Sequence, residues 1–280
     1  MKALLIYRAP QFSPNSIEKD RAILQSTGQC LLADGTDVAY LHEENLSMMI
    51  DGKETDWALH AFDLILTMGR LPETISLLRN AEQSGVRVIN SAEGLAKASR
   101  CAIEELMHTN GIPAADSLSL CSPLPDTRKK YWVKRGDMAA QSKADVQFAE
   151  GGEQLQAVIA EFQHRGITQL VVTEHVEGDL VKFYGVQASG FFRTFYPTDD
   201  GQTKFNDEQH NGESHHYAYD EDRLHCDAER LSRLTRLSVY GGDAIIRADG
   251  TYAIIDFNDW PSFSRCREEA AQAIARIACS

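Results

Sequence analysis

Residues 1–90 alternate short apolar runs with amphipathic stretches, a pattern that predicts strands and helices in turn. Lys2–Tyr7 (KALLIY) is a continuous apolar run, expected as a buried first strand. The Pro-rich 8–14 reads as a loop. Ser16 follows as the N-cap of a helix carrying Ile17, Ala22, Ile23 and Leu24. Residues 37–41 (DVAYL), 63–68 (DLILTM) and 86–89 (VRVI) predict three more strands, and 72–84 an amphipathic helix stopped by Gly85. Strands that alternate with helices pair in parallel, so this part is expected as a small three-layer α/β unit.

From Asn90 the pattern changes. One long helix is predicted from Ser91 to about Asn110, closed by Gly111 with Pro113 behind it. Residues 117–120, 131–134, 169–173 and 180–186 read as strands. The apolar stripe Leu155, Val158, Ile159 and Phe162 marks a helix over 153–164. Residues 198–219 hold few large apolar side chains and many turn formers, so they are expected as a long surface loop, in the role of a substrate lid. Helices are predicted over 222–237 and 268–278. Between them lie two apolar runs joined through Asp249-Gly250, the strongest short hairpin signal.

Composition narrows the class without naming it. The 280 residues suffice for one large domain or two or three small ones, and 43% hydrophobic with 25% charged residues is ordinary for a globular protein. A net charge of −13 argues against nucleic acid as a partner, because neutralising phosphates needs a basic face. The six cysteines show neither C-x-x-C nor zinc-ligand spacing. With no signal-peptide pattern they are expected as reduced thiols in a cytoplasmic protein. No apolar run approaches the roughly 18 residues of a membrane span, so no membrane partner is expected.

The chemistry concentrates on the hairpin. Asp243 lies on its first run, Asp256 and Asn258 at the end of its second. Residues two apart on a strand share a face, so Asp256 and Asn258 point the same way, and the hairpin folds Asp243 back beside them. Three oxygen donors, two of them anionic, suit a hard cation such as Mg2+ when phosphates and water complete its shell.

This carboxylate–hairpin–Asp-x-Asn arrangement resembles the metal signature of ATP-grasp enzymes, and further pieces stand in family order. The text Val88-Ile89-Asn90-Ser91 … Asn110-Gly111-Ile112-Pro113 resembles the passage from the family's N-terminal lobe to its nucleotide-binding part. The resemblance implies an α/β protein with the ATP-grasp fold: an N-terminal Rossmann-like (pre-ATP-grasp) lobe over 1–90 and an ATP-grasp domain over 91–280. Within the latter it implies a small nucleotide lobe over about 114–177 and a C-terminal metal lobe over about 178–280. ATP would lie between two small sheets, with Mg2+ (or Mn2+ in its place) on Asp243, Asp256 and Asn258. Lys134 at a strand end, and Arg100 nine residues beyond Ser91, are implied phosphate contacts, a task suited to their charge and donors.

Residues 171–182 (VVTEHVEGDLVK) resemble the family's adenine-binding hinge. That implies Glu174, His175 and Val176 at the base, Glu177 or Asp179 at the ribose, and Lys182 just beyond. Lys182, Arg193 and Arg265 are the implied catalytic cations, with Arg70 and Arg267 in the same basic patch for a small anionic acceptor. The chain departs from the family after Lys134, where a glycine-rich loop is replaced by Arg135-Gly136-Asp137-Met138-Ala139-Ala140-Gln141-Ser142. Three functions stay open. The first is a ligase that activates a carboxylate as an acyl phosphate for an amine or thiol. The second is a small-molecule kinase acting on a hydroxyl, favoured by the Asp-x-Asn text. The third is a nucleotide-binding protein without turnover.

Overall fold

The run Lys2–Tyr7 becomes strand β1, buried at every position after Lys2. A computed structural model describes residues 1–50 (backbone alone at 47–50), 59–118, 129–138, 140–199 and 210–280. Around β1 stand β2 (Asp37–His42), β3 (Leu64–Thr67) and β4 (Arg87–Ile89), in the order β2–β1–β3–β4. Every pairing is parallel, as the alternation of strands with α1 (Ile17–Ala33), α2 (Glu43–Ile50) and α3 (Pro72–Gln83) requires. Helix α1 covers one face through Ile23, Leu24 and Leu31, sharing a core with Ala271 and Ile274 near the C-terminus. Leu77, Leu78 and Ala81 of α3 bury against the other face.

The single long helix expected after Asn90 is two helices, α4 (Ala92–Ala96) and α5 (Arg100–Thr109). Two serines divide them. Ser91 accepts the N–H of Gly94 and Ser99 that of Ala102, and Ser99 is itself extended (φ −70°, ψ 149°). A cap of this kind begins a new helix. Arg100 thereby becomes the first residue of α5 and turns toward the hairpin.

The rest of the chain builds two antiparallel sheets. One orders β6 (Val146–Glu150), β5 (Lys130–Arg135) and β7 (Leu170–Glu174), with β5 central. The other orders β11 (Tyr252–Asp259), β10 (Val239–Ile246), β8 (Asp179–Val186) and β9 (Phe191–Phe195). Strand β6 was not marked by the apolar pattern. Of the expected strand over 117–120, Ser117 bridges Thr173, while 119 and 120 lie outside the described residues. The same holds for 200–209 of the expected lid.

Alternation along each strand sorts the faces. In the three-stranded sheet Tyr131, Val133, Ala149 and Val172 pack on Leu155, Ile159 and Phe162 of α6 (Gly151–His164), a core of its own. In the four-stranded sheet Val181, Phe183, Ala244 and Ile254 pack on Leu224, Ala228 and Leu231 of α7 (Glu221–Thr235). The remaining faces look at each other across a cleft. The chain closes with α8 (Arg267–Cys279), which lies along α1. Among the described residues no helix is long and apolar enough to cross a membrane.

Helix α4 comes close to the end of α7. A Cβ on Gly94 would stand 2.6 Å from the carbonyl oxygen of Arg236 and 2.7 Å from that of Thr235. Helix propensity alone favours alanine by roughly 1 kcal/mol, whereas overpacking costs roughly 1–3 kcal/mol. Because the opposing atoms are backbone, overpacking wins. Gly94→Ala is expected to lower the urea midpoint of unfolding, and a raised midpoint would show that the approach relaxes freely.

Candidate functional site

The cleft between the two antiparallel sheets holds a cavity of about 310 Å³, closed at one end by loops of the first sheet. Register sets its charged centre. Lys182 on β8 pairs with Asp243 on β10, and Asp243 pairs with Asp256 on β11. A cation and two anions therefore lie in a row across three strands. The pairing slips at this point: Asp243 is opposite Asp256 but Ala244 is opposite Ile254, so Ile255 is surplus. Such a bulge takes one residue out of the ladder.

Like charges directly opposite each other destabilise a sheet. Here cations offset them. Lys182 Nζ donates to Asp243 Oδ1 at 3.1 Å, and Arg100 Nε reaches Asp256 Oδ1 at 3.4 Å. Asn258 Nδ2 donates to Asp256 Oδ2 at 2.9 Å. Lys134 crosses from the three-stranded sheet and gives its ammonium to the Ile255 carbonyl at 2.7 Å. Burial pushes the Asp256 carboxyl up, but Arg100, Lys134 and Asn258 outweigh it and hold it at about 2. Lys134 is only 7% exposed, rare for a lysine; burial lowers its pKa against the opposing pull of Asp256.

Asp243, Asp256 and Asn258 are thus brought together. Among the described residues no three His, Cys, Asp or Glu side chains gather as a metal site; the third donor is the Asn258 carboxamide. Two carboxylates and a carboxamide are the oxygen set that Mg2+ accepts.

At one end of the cavity β7 runs into Glu174, His175 and Val176, all three on its wall. The N–H of Glu174 donates to Asp116 O and that of His175 to Lys130 O, each at 2.8 Å. Trp132 Nε1 donates to His175 Nδ1 at 3.1 Å. Burial, helped by Lys130, lowers the pKa of His175, so it stays neutral with its proton on Nε2. The Glu174 carboxylate accepts from Lys129 at 2.5 Å. Asn211 donates to the carbonyls of Val176 and Gly178 at 2.9 and 3.0 Å, fastening residues 210–217 beneath this segment.

Five expected site residues stand off the cavity wall. The Glu177 side chain is 84% exposed. Asp179 is buried and spends its carboxylate on the N–H groups of His215 (2.7 Å) and Tyr217 (2.8 Å), so it anchors a loop and does not face a ribose. Arg193 sits on the edge strand β9 and turns outward to Glu269 at 2.5 Å. Arg265 lies over the Phe195 ring and donates to Tyr196 O at 3.2 Å. Arg267 is likewise absent from the wall. In the loop that follows β5, Arg135 donates two bonds to Asp137, of 2.6 and 3.0 Å. Gly136 leaves no room for a side chain, since a Cβ would fall 2.3 Å from Cys101 Sγ.

The opposite end holds residues that the sequence pattern did not single out, Arg8, Asp20, Asp259 and Trp260, beside the expected Arg70. Arg70 clasps Asp259 with two bonds. Arg8 donates to Trp260 O at 2.9 Å and approaches Asp20 at 3.6 Å and Asp259 at 3.8 Å. Buried Glu43 accepts the N–H groups of Arg70 and Leu71 and so fixes the loop. Trp260 is held at φ +40°, rare for a bulky residue. A signal for Arg8 existed: it follows β1 directly, as Arg70 follows β3, at the strand ends where α/β sheets collect ligands.

The Asp179 anchor is open to test. An amide offers one acceptor oxygen where the carboxylate offers two, and aims an NH2 at a backbone donor. Asp179→Asn is expected to cost roughly 1–3 kcal/mol and to speed amide exchange at His215 and Tyr217. Unchanged exchange would show that the carboxylate carries no part of the loop.

Three solved structures share this architecture. A RimK domain ATP-grasp protein from Sphaerobacter thermophilus aligns over 100% of both chains with a TM-score of 0.66 and 16% identity. D-alanyl-alanine synthetase A from Vibrio cholerae covers 100% of this chain and 97% of its own, with a TM-score of 0.66 and 13% identity. D-alanine–D-alanine ligase from Bacillus anthracis complexed with ATP covers 100% and 96%, with a TM-score of 0.64 and 10% identity. No protein-family model and no curated protein matches the sequence. Strand order, both antiparallel sheets and full-length superposition agree: the chain has the ATP-grasp fold.

Proposed function

We propose that this protein is an ATP- and Mg2+-dependent ligase that activates a carboxylate as an acyl phosphate for attack by an amine or thiol. One observation carries the reading. A single cavity runs from the Glu174–Val176 segment, past Lys134, Arg100 and the Asp243–Asp256–Asn258 row, to the arginines of the first sheet. The base would lie at Glu174–Val176, where a strand end offers backbone groups to its edge and Trp132 and Leu180 provide apolar walls. Lys134 and Arg100 would hold the phosphates, and Lys182 would face the transferred group. Asp243, Asp256 and Asn258 would hold Mg2+, whose charge would offset that on the phosphates during transfer. The lobes would divide near residue 90 and between 177 and 178.

In the first step a carboxylate oxygen of the acceptor attacks the γ-phosphorus and ADP leaves. In the second the amine or thiol attacks the acyl carbon, phosphate leaves, and the nucleophile gives up its proton. The likeness to a ligase complexed with ATP supports ATP as the nucleotide. Release of ADP and free phosphate together, dependent on both a carboxylate and a nucleophile, is the expected result. ADP release with the phosphate retained on a hydroxyl would identify a kinase instead.

Two variants test the assignment of residues. Asp256→Asn removes an anionic ligand at nearly constant volume and is expected to abolish turnover at saturating Mg2+ with an unchanged circular dichroism spectrum. Wild-type rates would rule out the metal role. Lys134→Ala is expected to weaken ATP about ten- to a hundredfold, the worth of a charge-assisted contact, and adenosine far less. Equal losses for the two ligands, by titration calorimetry, would make Lys134 a purely structural link to Ile255.

A further inference from the structure

We infer that the end of the cavity opposite Glu174–Val176 takes a zwitterion, an α-amino acid with an apolar side chain, its carboxylate toward Arg8 and Arg70 and its ammonium toward Asp20. The inference deepens the ligase reading and rests on it for the rest of the cavity.

Charge balance is the first support. On the wall at this end and its approach the cations are Arg8, Arg70 and Lys182 and the anions Asp20, Asp259 and Asp243, with the Glu43 carboxylate buried behind Arg8 and Arg70. A plain carboxylate would add a further anion beside Asp20 and Asp259. A plain amine would meet the guanidinium groups of Arg8 and Arg70 with no carboxylate of its own to face them. A ligand that carries both charges leaves the balance intact, and in a site shielded from water unbalanced charge is the costly outcome.

Spacing is the second. The Arg8–Asp20 and Arg8–Asp259 approaches, at 3.6 and 3.8 Å, are too long for hydrogen bonds. Among the described residues the one hydrogen bond of the Arg8 side chain goes to Trp260 O, although a guanidinium has five donors. Asp20 Oδ2 accepts from Ser13 Oγ at 2.5 Å, and Oδ1 takes no hydrogen bond among the described residues. Ser16, on the same wall, heads α1 without a side-chain capping bond. Donors and acceptors with unused capacity thus alternate over a few ångströms, as the ammonium and carboxylate of an α-amino acid do. Burial also depresses the Arg8 guanidinium, a strain that a ligand carboxylate would relieve. Phe12, Tyr184, Trp260 and Pro261 surround these groups and favour an apolar side chain.

Titration calorimetry on the intact chain with Mg2+ and a non-hydrolysable ATP analogue, repeated without the nucleotide, tests the inference. The probes are phenylalanine, leucine and alanine in both enantiomers, each against its des-amino acid: hydrocinnamate, isocaproate and propionate. At least one amino acid is expected to bind more than about tenfold tighter than its des-amino partner. Asp20→Asn should shrink that preference below about threefold and leave the affinity for the ATP analogue unchanged. Should that variant misfold, the wild-type pairs decide alone. Des-amino acids binding as well as the amino acids, or no binding by phenylalanine, leucine or alanine in either enantiomer, overturns the zwitterion. Failure of the analogue to bind overturns the nucleotide reading instead, while the titrations without nucleotide still judge the acceptor.

Discussion

One surplus residue in a β-ladder organises this molecule. Because β11 carries Ile255 out of register, Asp243 and Asp256 stand opposite each other and the Ile255 carbonyl is offered to the neighbouring sheet. Two facing carboxylates would push the strands apart. They persist because Lys182 is their neighbour in the row and Arg100 and Lys134 arrive from other elements. The cations brought to the cleft are therefore required by the sheet itself. On the proposed function, a site that gathers cations around its own anions would suit a metal and polyphosphate, which supply the same charges in the opposite order.

The two sides of the cleft are built differently. The parallel sheet and the four-stranded antiparallel sheet are fused through helices: α1 runs along α8, and Arg87 donates to the carbonyls of Ile277, Ala278 and Ser280 at the end of that helix. The three-stranded sheet has its own core with α6. Several of its ties to the rest are polar: Lys134 to Ile255, Arg100 to Arg135 O at 3.0 Å, and Asn211 to Val176 and Gly178. Breaking such links exposes little apolar area and costs less than opening a core, so the cleft is the low-stability seam of the fold. The contacts that hold it are also those a nucleotide would compete for.

How much of this was legible in the sequence follows from the range over which each signal acts. The hairpin was readable because Asp249-Gly250 and the period of two are local, and the same period placed Asp256 and Asn258 on one face. Arg100 was singled out by its distance from Ser91, although the break at Ser99 that turns it toward Asp256 was not. The burial of Lys134 had no local mark, since its partner carbonyl lies 121 residues away. Asp179 read as a ligand residue because its actual partners, His215 and Tyr217, are 36 and 38 residues distant. Arg193 failed for a positional reason: an edge strand lets a long side chain turn to Glu269 and solvent. Strand β6 has too mixed an alternation to stand out from its surroundings.

Strand β11 also joins the two chemical ends of the cavity. Asp256 and Asn258 share a face, and Asp259, one residue on, points the other way by the period of the strand. There Arg70 and Arg8 meet it, and these outweigh its burial and hold its carboxyl below the usual range. The arginines belong to loops that follow β1 and β3, so the first sheet is fastened to the same strand that carries the metal-type donors. A slip of one residue in β11 would turn Asp256 and Asn258 away from the cleft and take Asp259 from its arginines together. Register along four consecutive residues, 256 to 259, is thus what keeps the two ends of the cavity in line. The bulge at Ile255 fixes that register, because only with it does Asp243 fall opposite the first of the four.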